Sequence, residues 1–401
     1  MSDKILFISQ VFYPDEVSTA NLFTNLCSVL VEDHIDVEVW CSQPSYTALE
    51  KQPKSIILHG IKIFFLASTN FAKTNLLGRL TNYFTFTVSV VLKLIFSRQK
   101  TLVLTHTTPP SLGIVISFIC SFKRRKFVYI LLDIFPEGLV RLGKVSKYNI
   151  LIIFWQYLFI LSLKKSVKIV VIGRDMKEWL RDVCQYALTK TEYIPLWQDE
   201  KLISPSEYLQ NAFVIENNLI GKFVIQYSGN MGLWNEMDTL GKAVRENLKD
   251  IVFMFVGGGM RKKELMDVIS SNDLENVIIM PFQPNEKFNT ILTACHVGLV
   301  TMRDKLEGMA VPSKIYGIMA AGIPVIAIVP LNSEIAFIIK EENCGFVLKP
   351  GDLSGFINAI GLLKSDENLR KQMGQNSRLA FEKKYSTREI AHLYKLMIEE
   401  L

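Results

Sequence analysis

Short apolar runs rich in β-branched and aromatic residues recur along the chain, and most are followed by a stretch with helical spacing. "KILFISQ" (4–10) leads into "STANLFTNLCSVLVED", whose apolar positions fall three and four apart, with Ser18 or Thr19 placed to cap it. "DVEVWCS" (36–42), "TLVLTH" (101–106), "KFVYILLD" (126–133) and "KIVVIG" (168–173) read as further strands, "RDMKEWLRDV" (174–183) as a helix, and "TEYIPL" (191–196) as a last strand. Residues 197–220 are polar and irregular and read as a linker. The alternation then restarts: "KFVIQYSG" (222–229), "NEMDTLGKAVREN", "IVFMFVGGG" (251–259), "RKKELMDVISSN" (261–272), "VIIMPF" (277–282), "VGLVTM" (297–302), "PVIAIV" (324–329) and "CGFVLK" (344–349). Strands that are apolar on both faces and alternate with helices imply parallel sheets covered on both sides. The pattern therefore predicts α/β architecture: two tandem Rossmann-like, doubly wound domains facing a cleft, over 1–196 and 221–385. A last helix over 386–401, with the capping-box pair Ser386 and Glu389, is placed to pack back on the first domain.

At 401 residues the chain exceeds one ordinary core, which agrees with two domains. Hydrophobic residues make up 49%, yet no apolar run reaches the roughly 20 residues that span a bilayer. The start, "MSDKILFISQ", carries a strand-sized apolar run rather than a signal-peptide pattern. Six scattered cysteines and five unclustered histidines suggest no metal site and fit reduced thiols. Charge changes the picture more. Residues 60–170 hold 16 Lys and Arg against two acids, Asp133 and Glu137, and also hold the apolar stretches 83–96, 111–122 and 150–163. "KRRK" (123–126) and "KK" (164–165) directly follow two of those stretches. Basic residues beside short apolar helices point to an anionic membrane surface. No nucleic-acid motif accompanies them.

The strand ends of the second domain carry the candidate chemistry. "YSGNMG" (227–232), with Gly229 and Gly232 expected to leave N–H groups open, "GGGMRKK" (257–263), "PFQPNEK" (281–287) and "TMRDKLEGMAVPSK" (301–314) all fall where such sheets bind ligands. Glycine-rich loops and a helix start favour phosphate, and Arg303, Lys305 and Lys314 supply full charge. Ser313 stands where it would cap the helix behind it. No Walker loop and no Asp-x-Asp is present, so cations and amide dipoles rather than a metal are expected to neutralise a diphosphate; no cofactor is expected.

These segments, with "MPFQPNEKF", "VPSKIYGIMAAGIPVIAI" and "NSEIAFIIKEENCGFVLKPGD", resemble GT-B glycosyltransferases of family 4. "FYPDEVSTANLFTNLCSVLVEDHIDVEVW" and "LLDIFPEGLVRLG" are similar to its branch of N-acetylfucosaminyltransferases of O-antigen and capsule assembly. The resemblance implies a retaining enzyme that moves a sugar from a UDP-sugar to a polyprenyl-diphosphate-linked acceptor, peripheral on the cytoplasmic face of the plasma membrane. It places Gly229 and Asn230 near the donor diphosphate, Phe282 and its neighbours by the base, Glu307 near the sugar, Ser313 and Lys314 near the phosphates, and Glu334 near the ribose or the loop that carries it. Asp133 and Glu137 would line the acceptor side. Asp133, Glu307 and Lys314 are then the catalytic candidates, with His106 a weaker one that reads as a satisfied loop histidine. Asn230 and Asn235 stand where the family carries Arg and Lys, and Gly317 where it carries the second Glu of a Glu-x7-Glu pair. An epimerase acting on the same sugar nucleotide and a non-catalytic membrane module remain the alternatives.

Overall fold

The computed structural model describes residues 4–44, 50–71, 76–99, 101–270 and 276–401. It divides into two units: Met1–Pro195 with Gly308–Ala310 and Thr387–Leu401, and Leu196–Glu307 with Val311–Ser386.

The first unit runs β1 (Lys4–Ile8), α1 (Ser18–Glu32), β2 (Asp36–Ser42), β3 (Ser55–Leu58), β4 (Ile61–Leu66), α2 (Leu76–Phe96), β5 (Leu102–His106), α3 (Leu112–Phe122), β6 (Phe127–Leu131), α4 (Glu137–Arg141), α5 (Ile150–Lys165), β7 (Lys168–Val171), α6 (Arg174–Val183) and β8 (Thr191–Tyr193). The sheet order is β3-β4-β2-β1-β5-β6-β7-β8, and all pairings are parallel except β3 with β4. Every residue of β6 is buried, as a strand with helices on both faces requires. The strand order reverses between β1 and β5. With right-handed crossovers this puts α1 on one face and α2, α3 and α5 on the other. α3 packs against both α2 and α5.

Three local readings change. α1 starts at Ser18 after Val17, and no side chain caps it. β3 and β4 form an antiparallel hairpin absent from the strand-and-helix pattern; its two-residue turn, His59–Gly60, has φ of 47° and 80°, which suits a primed turn. The apolar stretch noted at 83–96 is the last two thirds of a 21-residue helix.

The second unit runs α7 (Ala212–Glu216), β9 (Phe223–Ser228), α8 (Asp238–Arg245), β10 (Ile251–Val256), α9 (Lys262–Ser270), β11 (Val277–Met280), α10 (Asn285–Leu292), β12 (Val297–Thr301), α11 (Lys314–Ala320), β13 (Val325–Ile328), α12 (Glu334–Glu342), β14 (Gly345–Leu348), α13 (Leu353–Ser365) and α14 (Glu367–Lys384). Its all-parallel sheet has the order β11-β10-β9-β12-β13-β14, reversing between β9 and β12. Of the helix expected over 261–272, residues 271 and 272 lie outside the described residues. The expected linker is a built part of this unit. Trp197 and Ile203 are buried, and the Asn211 side chain accepts from Phe213 N–H and Val214 N–H to cap α7 while donating to Thr290 O at 2.7 Å. α15 (Thr387–Glu399) belongs with the first unit and packs against α1; Lys168 holds Glu400 at 2.9 Å.

Candidate functional site

In the second unit the reversal between β9 and β12 spreads their carboxyl ends apart, which is where doubly wound sheets take ligands. Gly229, at the end of β9, has φ of +131°, and a Cβ built there would lie 3.3 Å from the Cε of Lys314. Lys314, the first residue of α11, extends its amine to the Tyr227 hydroxyl at 2.5 Å and over the Tyr227 ring at 3.9 Å from its centroid. The same hydroxyl donates to Asn230 O at 2.8 Å. Sequence reasoning missed Tyr227, although a tyrosine at the last buried position of a strand beside Gly-Asn was the available signal. Burial lowers the Lys314 ammonium to a pKa of about 7. An amine in that state, held by one phenol, is a cation site that an incoming anion would complete.

The three glycines after β10 are explained by backbone packing. Gly257 has φ of +131°, and a Cβ there would meet Gly229 O at 2.2 Å; one on Gly259 would meet Met231 O at 2.5 Å. The loops after β9 and β10 are thus in backbone contact. Phe282, 64% exposed, lays its ring over this turn, 3.3 Å from the Cβ positions of both Gly257 and Gly258. Gly257→Ala is expected to destabilise the fold by about 1–3 kcal/mol, since a strained φ and a backbone overlap coincide. Chemical denaturation measures this, and a loss under 0.5 kcal/mol (on the order of an ordinary surface change) would mean that the two loops separate freely.

Several expected details are corrected. Gly229 N–H donates to Val256 O at 2.8 Å and Gly232 N–H to Asn235 Oδ1 at 3.0 Å, so neither is open to a phosphate. The N–H groups of Asn230 and Gly258 donate to nothing among the described residues. Ser313 precedes α11 without capping it, which leaves its hydroxyl to other partners. Asn235 is a brace, donating to Thr301 O at 3.1 Å. Arg261, 8% exposed, ties the same loop through Asn235 O and Asp238 at 2.9 and 2.8 Å, and its charge is further matched by Glu264. A side chain at Gly317 would point at Ile203 and Leu292, 3.5 and 3.6 Å away, so this is an apolar packing position. Arg303 joins the β9 loop through its N–H to Trp234 O at 2.9 Å. Glu307 is partly exposed at the end of the loop after β12, and Glu334 is 1% exposed at the start of α12, behind its N-cap Ser333.

In the first unit, Asp133 follows β6. Thr107 Oγ1 accepts the N–H groups of both Leu132 and Asp133 at 3.0 Å and so fixes the backbone of the turn. Gly308–Ala310 completes it: Asp133 bridges Ala310, Ile134 N–H donates to Met309 O at 2.8 Å, and the Asp175 carboxylate accepts Gly308 N–H at 2.8 Å. Burial pushes the Asp133 carboxyl up to about 6, and the carboxylate has no hydrogen-bond partner among the described residues. Glu137 is occupied by Arg141 at 3.4 Å and Gln156 at 3.0 Å. His106 Nδ1 accepts Thr108 N–H at 3.1 Å, which leaves the proton on Nε2 facing Ser9 Oγ at 2.8 Å. The ring stacks on Phe23 at 5.0 Å, and burial lowers its pKa to about 3, so it is a neutral structural histidine.

Two Rossmann-like units of these strand orders make up the GT-B fold. Sucrose-phosphate synthase from Thermosynechococcus elongatus has a TM-score of 0.76 to this chain, at 16% identity over 99% of this chain and 100% of that one. HepE from Anabaena, crystallised with UDP-glucose, has a TM-score of 0.72 at 16% identity, again over 99% and 100%. Residues 209–380, which apart from Gly308–Ala310 fall within the second unit, match the family model described as glycosyl transferases group 1. The chain is also 29% identical over 282 residues, 69% of its length and 68% of the relative's, to a probable glycosyltransferase, WbjE, of Pseudomonas aeruginosa.

Proposed function

We propose that this chain is a retaining glycosyltransferase of family 4 that moves a sugar, an N-acetylated deoxyhexose by resemblance, from a UDP-sugar to a polyprenyl-diphosphate-linked saccharide. The observation that carries the reading is the Lys314–Tyr227 pair beside Gly229, a desolvated amine at the switch point of a unit that matches group 1 glycosyl transferases. HepE, similar in fold, binds UDP-glucose. O-antigen or capsule assembly rests on the sequence resemblance alone.

In this reading the bond from the anomeric carbon to the β-phosphate oxygen breaks, and charge develops on the departing UDP. A preformed cation and aligned dipoles at that oxygen are worth most in the transition state. Lys314 takes that role, with Arg303, the Ser313 hydroxyl and the free N–H groups of Asn230 and Gly258 around it. Phe282 stacks on the base, Glu307 contacts the sugar and Glu334 supports the ribose side. The acceptor hydroxyl, oriented by Asp133, bonds to the anomeric carbon on the face the phosphate leaves, and its proton passes to the departing phosphate oxygen.

The test is to incubate purified protein with a panel of UDP-sugars and a membrane lipid extract and read the products by mass spectrometry. One sugar mass added to a polyprenyl lipid, with UDP released, supports transfer. Conversion of one UDP-sugar to another without acceptor would make it an epimerase, and no nucleotide binding by calorimetry would leave a non-catalytic module. Among the described residues no group of three or more His, Cys, Asp or Glu is placed to hold a metal. Because the sequence carries no Asp-x-Asp, transfer is expected to be unchanged by EDTA; loss on chelation with recovery in magnesium would contradict the cation role of Lys314.

A further inference from the structure

α2 is apolar on two opposite sides, and only one is covered. Asn82, Phe86, Val90 and Leu94 face the core, while Leu77, Leu80, Phe84, Val88, Leu92 and Phe96 form a stripe on the other side, with Leu77 and Phe84 72% and 69% exposed. A helix apolar all round is normally buried, and an exposed apolar strip of this length marks an interaction surface. The start of α5 repeats the feature, with Ile150, Leu151, Phe154 and Tyr157 all exposed. α3 packs against both helices, so the two stripes belong to one helical layer.

The charge around this layer says what covers it. Residues 60–132 contain no Asp or Glu, and the next two acids are Asp133 and the paired Glu137. Arg79 on α2, Arg98 after it, Lys147 just before α5 and Lys164 near its end are exposed. The basic run 123–126, by contrast, is mostly occupied within the fold. Lys123 donates to Ser97 O at 2.9 Å and Arg125 to the same carbonyl at 2.5 Å, completing the end of α2, while Lys126 reaches Leu401 O. The sequence had made that run the anionic-surface contact; only Arg124 in it is left for such a role. No helix among the described residues is long and apolar enough to cross a membrane.

We propose that the outer stripe of α2, together with the first turns of α5, inserts into the headgroup–acyl boundary of an anionic bilayer, with Arg79, Arg98, Lys147 and Lys164 at the headgroups. This deepens the proposed function by naming the surface that would bring the site to a lipid-linked acceptor. Apolar insertion with a basic rim is the mode of an interfacial helix, in which salt weakens only the electrostatic part.

The experiment uses the full chain and vesicles of phosphatidylcholine with and without phosphatidylglycerol, in the absence of any sugar nucleotide, so its result stands or falls independently of transferase activity. Wild-type protein is expected to bind the anionic vesicles and to keep part of that binding in high salt. Leu80→Gln/Phe84→Gln/Leu92→Gln, all on the exposed stripe, should weaken binding at least tenfold at both salt concentrations while leaving UDP affinity unchanged. Arg79→Gln/Lys147→Gln should lose chiefly the low-salt part. Phe84→Trp adds a depth reading: its fluorescence should shift to the blue and be quenched by brominated acyl chains. Absence of binding, binding that the stripe variant does not change, or no quenching at position 84 would overturn the proposal. So would a wild-type dimer that the stripe variant converts to a monomer.

Discussion

Replacing Lys314 by Ala is expected to weaken UDP binding about 10- to 150-fold, equivalent to about 1.5–3 kcal/mol for a hydrogen bond to a charged group. Among the described residues the amine has one partner, the Tyr227 hydroxyl, and no acid against it, so its charge is available to a diphosphate. The direction of the pH dependence follows. In the free protein burial penalises the ammonium and holds its pKa at about 7. A bound diphosphate favours the ammonium and raises that pKa, so binding above pH 7 takes up a proton and affinity falls as pH rises through 7. Lys314→Arg keeps a permanent charge and should flatten the profile. Calorimetry in buffers of different ionisation heat measures both. UDP affinity unchanged in the alanine variant would remove Lys314 from the donor site.

Asp133→Asn is expected to cripple sugar transfer, with a loss of about 100-fold in kcat as for misplacement of a reacting group, while UDP affinity stays at the wild-type value. The same variant should be more stable than wild type at neutral pH. The carboxyl titrates at about 6 in the folded protein, above its ordinary value, because burial disfavours the ion. A carboxyl raised in this way costs stability once pH rises above its unfolded pKa, and the cost is complete above about 6. Thermal unfolding should therefore show the asparagine variant gaining over wild type between pH 4 and pH 6 and holding that gain at pH 8. A variant that transfers sugar normally would show that the acceptor hydroxyl is oriented elsewhere.

Much of the fold was legible because the strands are buried on both faces and read as continuous apolar runs. The hairpin at Ser55–Leu66 was not, because its signal is only a His-Gly turn between two short runs. The candidate site was legible at the level of loops. Gly229, Phe282 and Lys314 do come together at the strand ends of one unit, but sequence could not say how each loop spends its hydrogen bonds. Gly229 N–H is committed to Val256 O, Ser313 caps nothing, and Tyr227 supplies the contact that defines Lys314. Charge was the least legible feature. Composition finds a basic region but cannot tell Lys123, which closes the end of α2, from Lys147, which stays exposed.

The packing of α15 on α1 has a consequence for how the chain is made. The surface of α1 that α15 covers includes a helix finished by residue 32, yet its cover begins only at residue 387. During synthesis the whole second unit leaves the ribosome while that surface waits. At roughly 5–20 residues per second, the interval is on the order of 20–70 seconds. Throughout it the nascent first unit exposes a sticky helix face, and a chaperone that binds apolar segments has its best opportunity there.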